Sequence, residues 1–202
     1  LGRPRLFFAV SPGAMDSMVN RYTANRRMRH DDAYTPDGRH GMRPDYPSIV
    51  YSKILKQLFP DVPVVLGGIE ASLRRLTHYD YWEDKLKKCI LCESGADIIL
   101  YGMGEKNTLQ LCRELENGRS IKDVKDIPQT VYLAKKEDIP GGITDTDIVL
   151  HSHEECLRNK KAQAENFRHI EEESNKMHAQ RLIQGVDHQF AVVNPPYPPM
   201  TT

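Results

Sequence analysis

Glycines stand in this sequence at two places where backbone could hold a ligand. Gly67-Gly68 follows the apolar run Val62-Pro63-Val64-Val65-Leu66 and precedes Ile69-Glu70-Ala71-Ser72. Gly102 and Gly104 flank Met103 after Ala96-Asp97-Ile98-Ile99-Leu100-Tyr101 and lead into Glu105. A short β-rich apolar run fits a strand buried on both faces. Glycine lets backbone approach a ligand closely, and the following helix offers free N–H groups and a positive dipole end. In open α/β sheets ligands are held at this junction. Gly67, Gly68, Gly102 and Gly104 are therefore expected to be close-approach backbone. Glu70 and Glu105 are expected to face a ligand beside them, and Arg74 to be an anion contact. Glu105 also has a plainer reading, since an acid at a helix start complements the dipole by about 0.3–1 kcal/mol.

Further charges gather in the segment that holds Arg21, Arg26, Arg27, Arg29, Arg39 and Arg43 with His30 and His40, against only Asp31, Asp32, Asp37 and Asp45. Guanidinium forks there either clamp an anion bidentately or pair with the segment's own acids. Arg74, Arg75 and His78 either extend an anion-binding rim or form the wet face of a short helix. Thr77-His78-Tyr79-Asp80-Tyr81-Trp82 suits stacking of a planar ligand or, as the reading taken, docking of another domain. Cys89-Ile90-Leu91-Cys92 is a CxxC, but its expected place at a helix end would raise the thiol pKa, and no second CxxC completes a zinc site. Buried core thiols are expected instead. His151, His153 and Cys156 lack further ligands in register, so no metal ligand is assigned. The sequence carries no nucleophile elbow, Walker loop, HExxH or full GxGxxG fingerprint, and no catalytic residue is assigned.

These residues need elements to hold them. Residues 5–10 read as a strand, and Ser11-Pro12 as the N-cap and first position of a helix whose face is Met15, Met18, Val19 and Tyr22. Residues 26–44 read as a long loop. Tyr51, Ile54, Leu55 and Leu58 mark the face of the next helix, before Pro60. After strand 62–66 come a short helix at 70–76, a longer one over 80–92 ending near Gly95, strand 97–101, and a helix over 105–116 stopped at Gly118. Strands at 129–133 and 148–151, one long solvated helix over 154–180, and an extended polyproline tail over 190–200 complete the chain. This alternation predicts an α/β three-layer sandwich with a mainly parallel, Rossmann-like sheet. Residues 1–150 would form an incomplete α/β domain, and 151–202 a helical extension with a proline-rich linker. Strands look missing on the amino-terminal side, so strand 5–10 should present an edge that invites an oligomer.

Composition bounds the rest. Lysine plus arginine equals aspartate plus glutamate at 28 each, so no global field draws the chain to nucleic acid or an acidic membrane. Apolar runs fall far short of the ~20 residues a membrane span needs. Cys89, Cys92, Cys112 and Cys156 do not look like a secreted disulfide framework, so a cytoplasmic location is expected.

Arg21-Tyr22-Thr23-Ala24-Asn25, Asp32-Ala33-Tyr34-Thr35-Pro36, Gly41-Met42-Arg43-Pro44 and Tyr46-Pro47-Ser48-Ile49-Val50-Tyr51 carry a resemblance. So do Gly67-Gly68-Ile69-Glu70-Ala71-Ser72-Leu73-Arg74-Arg75-Leu76, His78-Tyr79-Asp80-Tyr81-Trp82, Tyr101-Gly102-Met103-Gly104-Glu105 and Pro195-Pro196-Tyr197-Pro198-Pro199-Met200. Together, over nearly the whole chain, they resemble the YgiQ-type family of radical S-adenosylmethionine (radical SAM) proteins. The GG and GxGE strand ends are more distantly similar to cobalamin-binding-type domains that precede radical SAM barrels. The resemblance implies that Leu1 falls inside the family's amino-terminal domain, with strands upstream. It also implies that the catalytic barrel, whose CxxxCxxC triad holds a 4Fe-4S cluster and which uses S-adenosylmethionine, lies beyond Thr202. No cysteine here has that spacing, so no cluster ligand carries over. The DxHxxG motif of cobalamin relatives is absent too, and cobalamin is not assigned. The expected function is an accessory domain, inert alone, that lines a ligand cleft beside its own C-terminal barrel and serves a substrate of unknown identity. The alternatives are a non-catalytic binding or docking module of cobalamin type and, against the balanced charge, capture of an RNA substrate.

Overall fold

A computed structural model describes residues 2–198. Along the chain lie β1 (Phe8–Val10), α1 (Ser17–Arg21), α2 (Pro47–Leu58), β2 (Val64–Gly67), α3 (Gly68–Leu73), β3 (His78–Asp80), β4 (Lys85–Lys87), α4 (Ile90–Ser94) and β5 (Ile98–Leu100). There follow α5 (Glu105–Glu116), β6 (Thr130–Ala134), β7 (Ile148–Leu150), α6 (His153–Arg158), α7 (Lys160–Ser174), β8 (Leu182–Val186) and β9 (Gln189–Val193). A seven-stranded sheet runs in the order β1-β2-β5-β6-β9-β8-β7. The ladders β1/β2, β2/β5 and β7/β8 are parallel, while β5/β6, β6/β9 and β8/β9 are antiparallel.

The fold is α/β in three layers. Alternation along β2 puts Val64 and Leu66 on one face, where they pack with Ile49 of α2, Ile90 and Leu91 of α4 and Ile99 of β5. Val65 joins Ile98 and Leu100 on the other face, against Leu111 and Leu115 of α5. Tyr132, Ile183 and Val192 continue that second face under Ile139 and Ile143. Burial on both sides is what fully apolar parallel strands require. β1, β2 and β5 all end at one edge of the sheet, where α3 and α5 begin. The expected open edge is present: β1 pairs with β2 and, among the described residues, with no strand on its other side.

Several elements differ from the sequence reading. The helix expected over 80–92 is a hairpin, β3/β4, followed by the short α4. The Asp80 carboxylate accepts from the Trp82 and Glu83 amides at 3.0 and 2.8 Å, and Asp84 takes φ +53, so a turn replaces the helix start. The single helix expected over 154–180 breaks at Asn159, whose extended backbone ends α6 while its side chain caps α7 through the Lys161 amide at 3.0 Å. The polyproline tail begins later than expected, because 190–193 belong to β9 in the middle of the sheet. The sheet thus crosses the expected domain boundary at 150, and residues 199–200 of the expected tail lie outside the described residues.

Asp16, not Ser11, caps the first helix through the Met18 and Val19 amides. In α2 three of the four residues of the expected apolar face, Tyr51, Ile54 and Leu58, are exposed, and of the four only Leu55 packs against the core, while Ser48, Ile49 and Ser52 are buried. The Ser52 hydroxyl donates to the Ser48 carbonyl at 2.7 Å, a local bond that lets a serine face bury against the sheet.

Candidate functional site

Glycine bends occur where expected, but the protein's own side chains occupy them. Gly68 has φ +80, and a Cβ there would lie 2.7 Å from the Ser11 hydroxyl. Gly102 has φ +66, with the Gln129 amide nitrogen 3.1 Å from the place of a Cβ. That nitrogen donates to the Tyr101 and Met103 carbonyls at 2.8 and 2.5 Å, and the Gly102 amide donates to the Ser72 hydroxyl at 3.1 Å. Gly67 and Gly104 would meet neighbours only at 3.8 and 3.6 Å, ordinary contact distances. Glu105 is exposed in the first turn of α5. Gly68→Ala is expected to lower stability by about 1–3 kcal/mol through left-handed strain, read as a lower urea midpoint at unchanged m value. Gly67→Ala should change it by less than about 0.5 kcal/mol. Equal midpoints for the two would show that the bend does not require glycine.

Glu70 and Arg74 serve an internal network. Glu70 is wholly buried, and its carboxylate accepts from the Ser17 amide at 2.9 Å and lies 3.9 Å from the Arg74 guanidinium. Arg74 is bonded to the Asp16 carboxylate, with both side chains less than a tenth exposed. The expectation that Arg74 contacts an outside anion gives way to this pairing, since its charge is already matched.

Arg75, the neighbour of Arg74, has no carboxylate within 4.0 Å among the described residues. Its guanidinium donates to the Ser72 carbonyl at 2.6 Å and reaches the Ser174 hydroxyl at 3.4 Å, with the Tyr101 ring centre 5.1 Å away. Its Nε is buried without a partner. Burial draws the guanidinium's pKa below its ordinary value, partly offset by Tyr101 and Glu171. Arg75 lines a cavity of about 1010 Å³ between α1, α3, the β3/β4 hairpin and α7, and also a second cavity of about 230 Å³ that reaches Gly102. His78, Tyr81 and Trp82 line the larger cavity from the hairpin side, and Phe167 lines it from α7. Burial pushes His78 down to about 4, so its ring is neutral at physiological pH. Its Nδ1 lies 3.1 Å from the Leu76 carbonyl, which places the proton there and leaves Nε2 as a buried acceptor without a partner. The 77–82 segment is visible in the sequence; Phe167 is not, because a lone aromatic on a charged helix gives no signal of the surface it faces.

The arginine-rich segment largely pairs its own acids. Arg43 grips Asp32 through two bonds of 2.9 Å, Arg21 lies 3.2 Å from Asp45, and Arg39 lies 3.6 Å from Asp37. Burial would raise the Asp32 pKa, but bonds from Arg43, the Tyr34 amide and Asn20 carry it below the ordinary value. Cys89 caps the start of α4, contrary to the helix-end position expected for the CxxC. Its buried thiol is pushed up by donating to Cys92, whose own pKa falls through that bond.

A family model described as "Radical SAM N-terminal" matches residues 1–202. The chain belongs to the radical SAM N-terminal family. UPF0313 proteins of Bacteroides thetaiotaomicron and Porphyromonas gingivalis are each 60% identical to it over the whole chain, which covers 34% and 32% of them. A UPF0313 protein of Geobacter sulfurreducens is 47% identical over 99% of the chain and 33% of its own length. The chain thus spans about a third of the length of the curated relatives it matches. No solved structure matches it.

The radical SAM family implies an iron–sulfur cluster and S-adenosylmethionine for the longer protein. The residues of this N-terminal domain do not fit a cluster. Cys112 stands in α5 and Cys156 in α6, away from Cys89 and Cys92, and among the described residues no three His, Cys, Asp or Glu groups gather as a metal site. No described helix is long and apolar enough to cross a membrane.

Proposed function

We propose that this domain is an accessory module of a radical SAM enzyme and that the cavity between the hairpin and α7 is the wall it offers to its own catalytic barrel. One observation carries the reading. The rim of a cavity already floored by Arg75 and His78 exposes large apolar side chains: Leu73 at 64%, Tyr79 at 54% and Phe167 at 60%. Contiguous apolar surface rimmed by polar groups marks interaction sites. A chain that spans a third of its relatives leaves ample polypeptide to cover it. The glycine bends, filled by Ser11 and Gln129, have a supporting role in this reading, because the bend at Gly68 starts α3, whose Leu73 lines the cavity.

Hydrogen exchange tests the docking. In the full-length protein, amides over 78–82 and 160–174 are expected to exchange at least about tenfold more slowly than in the 202-residue chain, while those of β2 and β5 keep their rates. Equal rates over both segments would sink the reading.

A further inference from the structure

We infer that the larger cavity binds a planar aromatic anion, the charged group on Arg75 and the ring against Tyr81, Trp82 and Phe167. This names a ligand class for the cavity proposed above as the barrel-facing wall and rests on that reading. Arg74, one residue away, is matched by Asp16, whereas Arg75 has no carboxylate within 4.0 Å among the described residues and bonds only to a carbonyl and a hydroxyl. The Nε atoms of Arg74 and Arg75 are both buried without a partner, but of the two only Arg75 also lacks a carboxylate, a costly state unless an anion completes it. Glu171 lines the same cavity but is exposed, and it bridges to no cation.

Shape and polarity narrow the ligand. About 1010 Å³ is the upper end of the range for organic ligand sites, far more than a bare phosphate or carboxylate fills. Tyr81 and Trp82 meet edge to face at 5.1 Å, and Phe167 of α7 adds an exposed ring to the lining. Stacked aromatic contacts favour a flat partner. His78 is neutral, Arg74 is matched by Asp16, and the other lining cations, Arg29 and Lys160, are exposed, so Arg75 is the half-buried cation that one anionic group would meet.

Calorimetric titration of the 202-residue chain tests this with 1-naphthyl phosphate, 1-naphthoate, 1-naphthol and inorganic phosphate. At least one of the two naphthyl anions is expected to bind about tenfold or more tightly than both naphthol and phosphate, and which one does so tells phosphate from carboxylate recognition. Arg75→Gln should weaken that anion by about tenfold or more and leave naphthol unchanged. Phe167→Ala, at an exposed ring where folding is not at stake, should weaken the naphthyl anion about threefold to tenfold and leave inorganic phosphate unchanged. Naphthol binding as tightly as the anions, or full affinity in both variants, would overturn the inference. Exchange mapping reads docking of the barrel and titration reads the ligand, so either can fail alone.

Discussion

Asp16→Ala is expected to cost the fold about 3–5 kcal/mol from the stranded charge of Arg74, with roughly 1 kcal/mol more from the lost helix cap. Both terms have a geometric source. The Asp16 carboxylate accepts from the Met18 and Val19 amides at 2.9 and 3.2 Å and also binds the Arg74 guanidinium, in a place where each side chain is under a tenth exposed. With the carboxylate gone, Arg74 would keep only Glu70, 3.9 Å away, and that acid is already bonded to the Ser17 amide. A buried charge that loses its partner is penalised more than a pair removed together. The double variant Asp16→Ala/Arg74→Met should therefore recover part of the loss, and urea unfolding of the two single variants and the double gives the coupling directly. The result also bears on function. A loss under about 1 kcal/mol would mean that Arg74 is not committed to Asp16, and the anion role would then return to Arg74 from Arg75.

The glycine-terminated strands were legible because local chemistry alone specifies them. Val64 to Leu66 and Ile98 to Leu100 are apolar at consecutive positions, as only strands buried on both faces or very short core helices need be, and the glycines mark where each stops. Helix α5 was legible to the residue for the same reason, with Gly118 one position past its cap at Asn117. What was not legible depends on distant partners. The 80–92 stretch holds enough helix formers to read as a helix, and only the Asp80 side chain folding back on Trp82 and Glu83 turns it into a hairpin. β9 looked like a linker because its proline-rich sequel dominates the pattern, yet Ala191 to Val193 insert between β6 and β8.

The candidate site divides along the same line. The sequence placed Arg75, His78 and the aromatic segment together because they are neighbours in the chain. It assigned the anion contact to Arg74, since no local signal says which of two adjacent arginines finds an internal acid. Asp16 lies 58 positions away from its partner, and Phe167 reaches the cavity from a helix that composition alone describes as solvated. Close-approach backbone was expected at Gly67, Gly68, Gly102 and Gly104; Gly68 and Gly102 take positive φ, but conformational freedom does not reveal whether a ligand or a protein side chain takes up the space.

Arg181→Met should destabilise the chain by about 3–5 kcal/mol at neutral pH, and the size of that loss should depend on pH in a defined direction. Arg181 holds Asp147 through two bonds of 2.8 Å and donates to the Pro140 and Gly142 carbonyls at 3.0 and 2.7 Å, so it fastens the segment before β7 onto β8. Bonds from Arg181 hold the Asp147 pKa below the ordinary carboxylate value, against a burial contribution that would raise it. A carboxylate depressed in the folded state stabilises it above the unfolded pKa of about 4, and this contribution is lost as pH falls through the folded value. Removing Arg181 leaves burial opposed only by the Thr144 amide and hydroxyl, so in the variant the folded pKa of Asp147, a side chain only 4% exposed, should rise from its depressed value. The variant's folded state would then take up a proton at a higher pH than the folded natural chain does. Its deficit relative to the natural chain should therefore be largest near pH 7 and shrink as pH falls towards about 4. Urea midpoints of both proteins across that range measure the difference. A deficit that stays constant with pH would mean that Arg181 acts through the two carbonyls alone, and that the ion pair with Asp147 contributes nothing to holding this segment on the sheet.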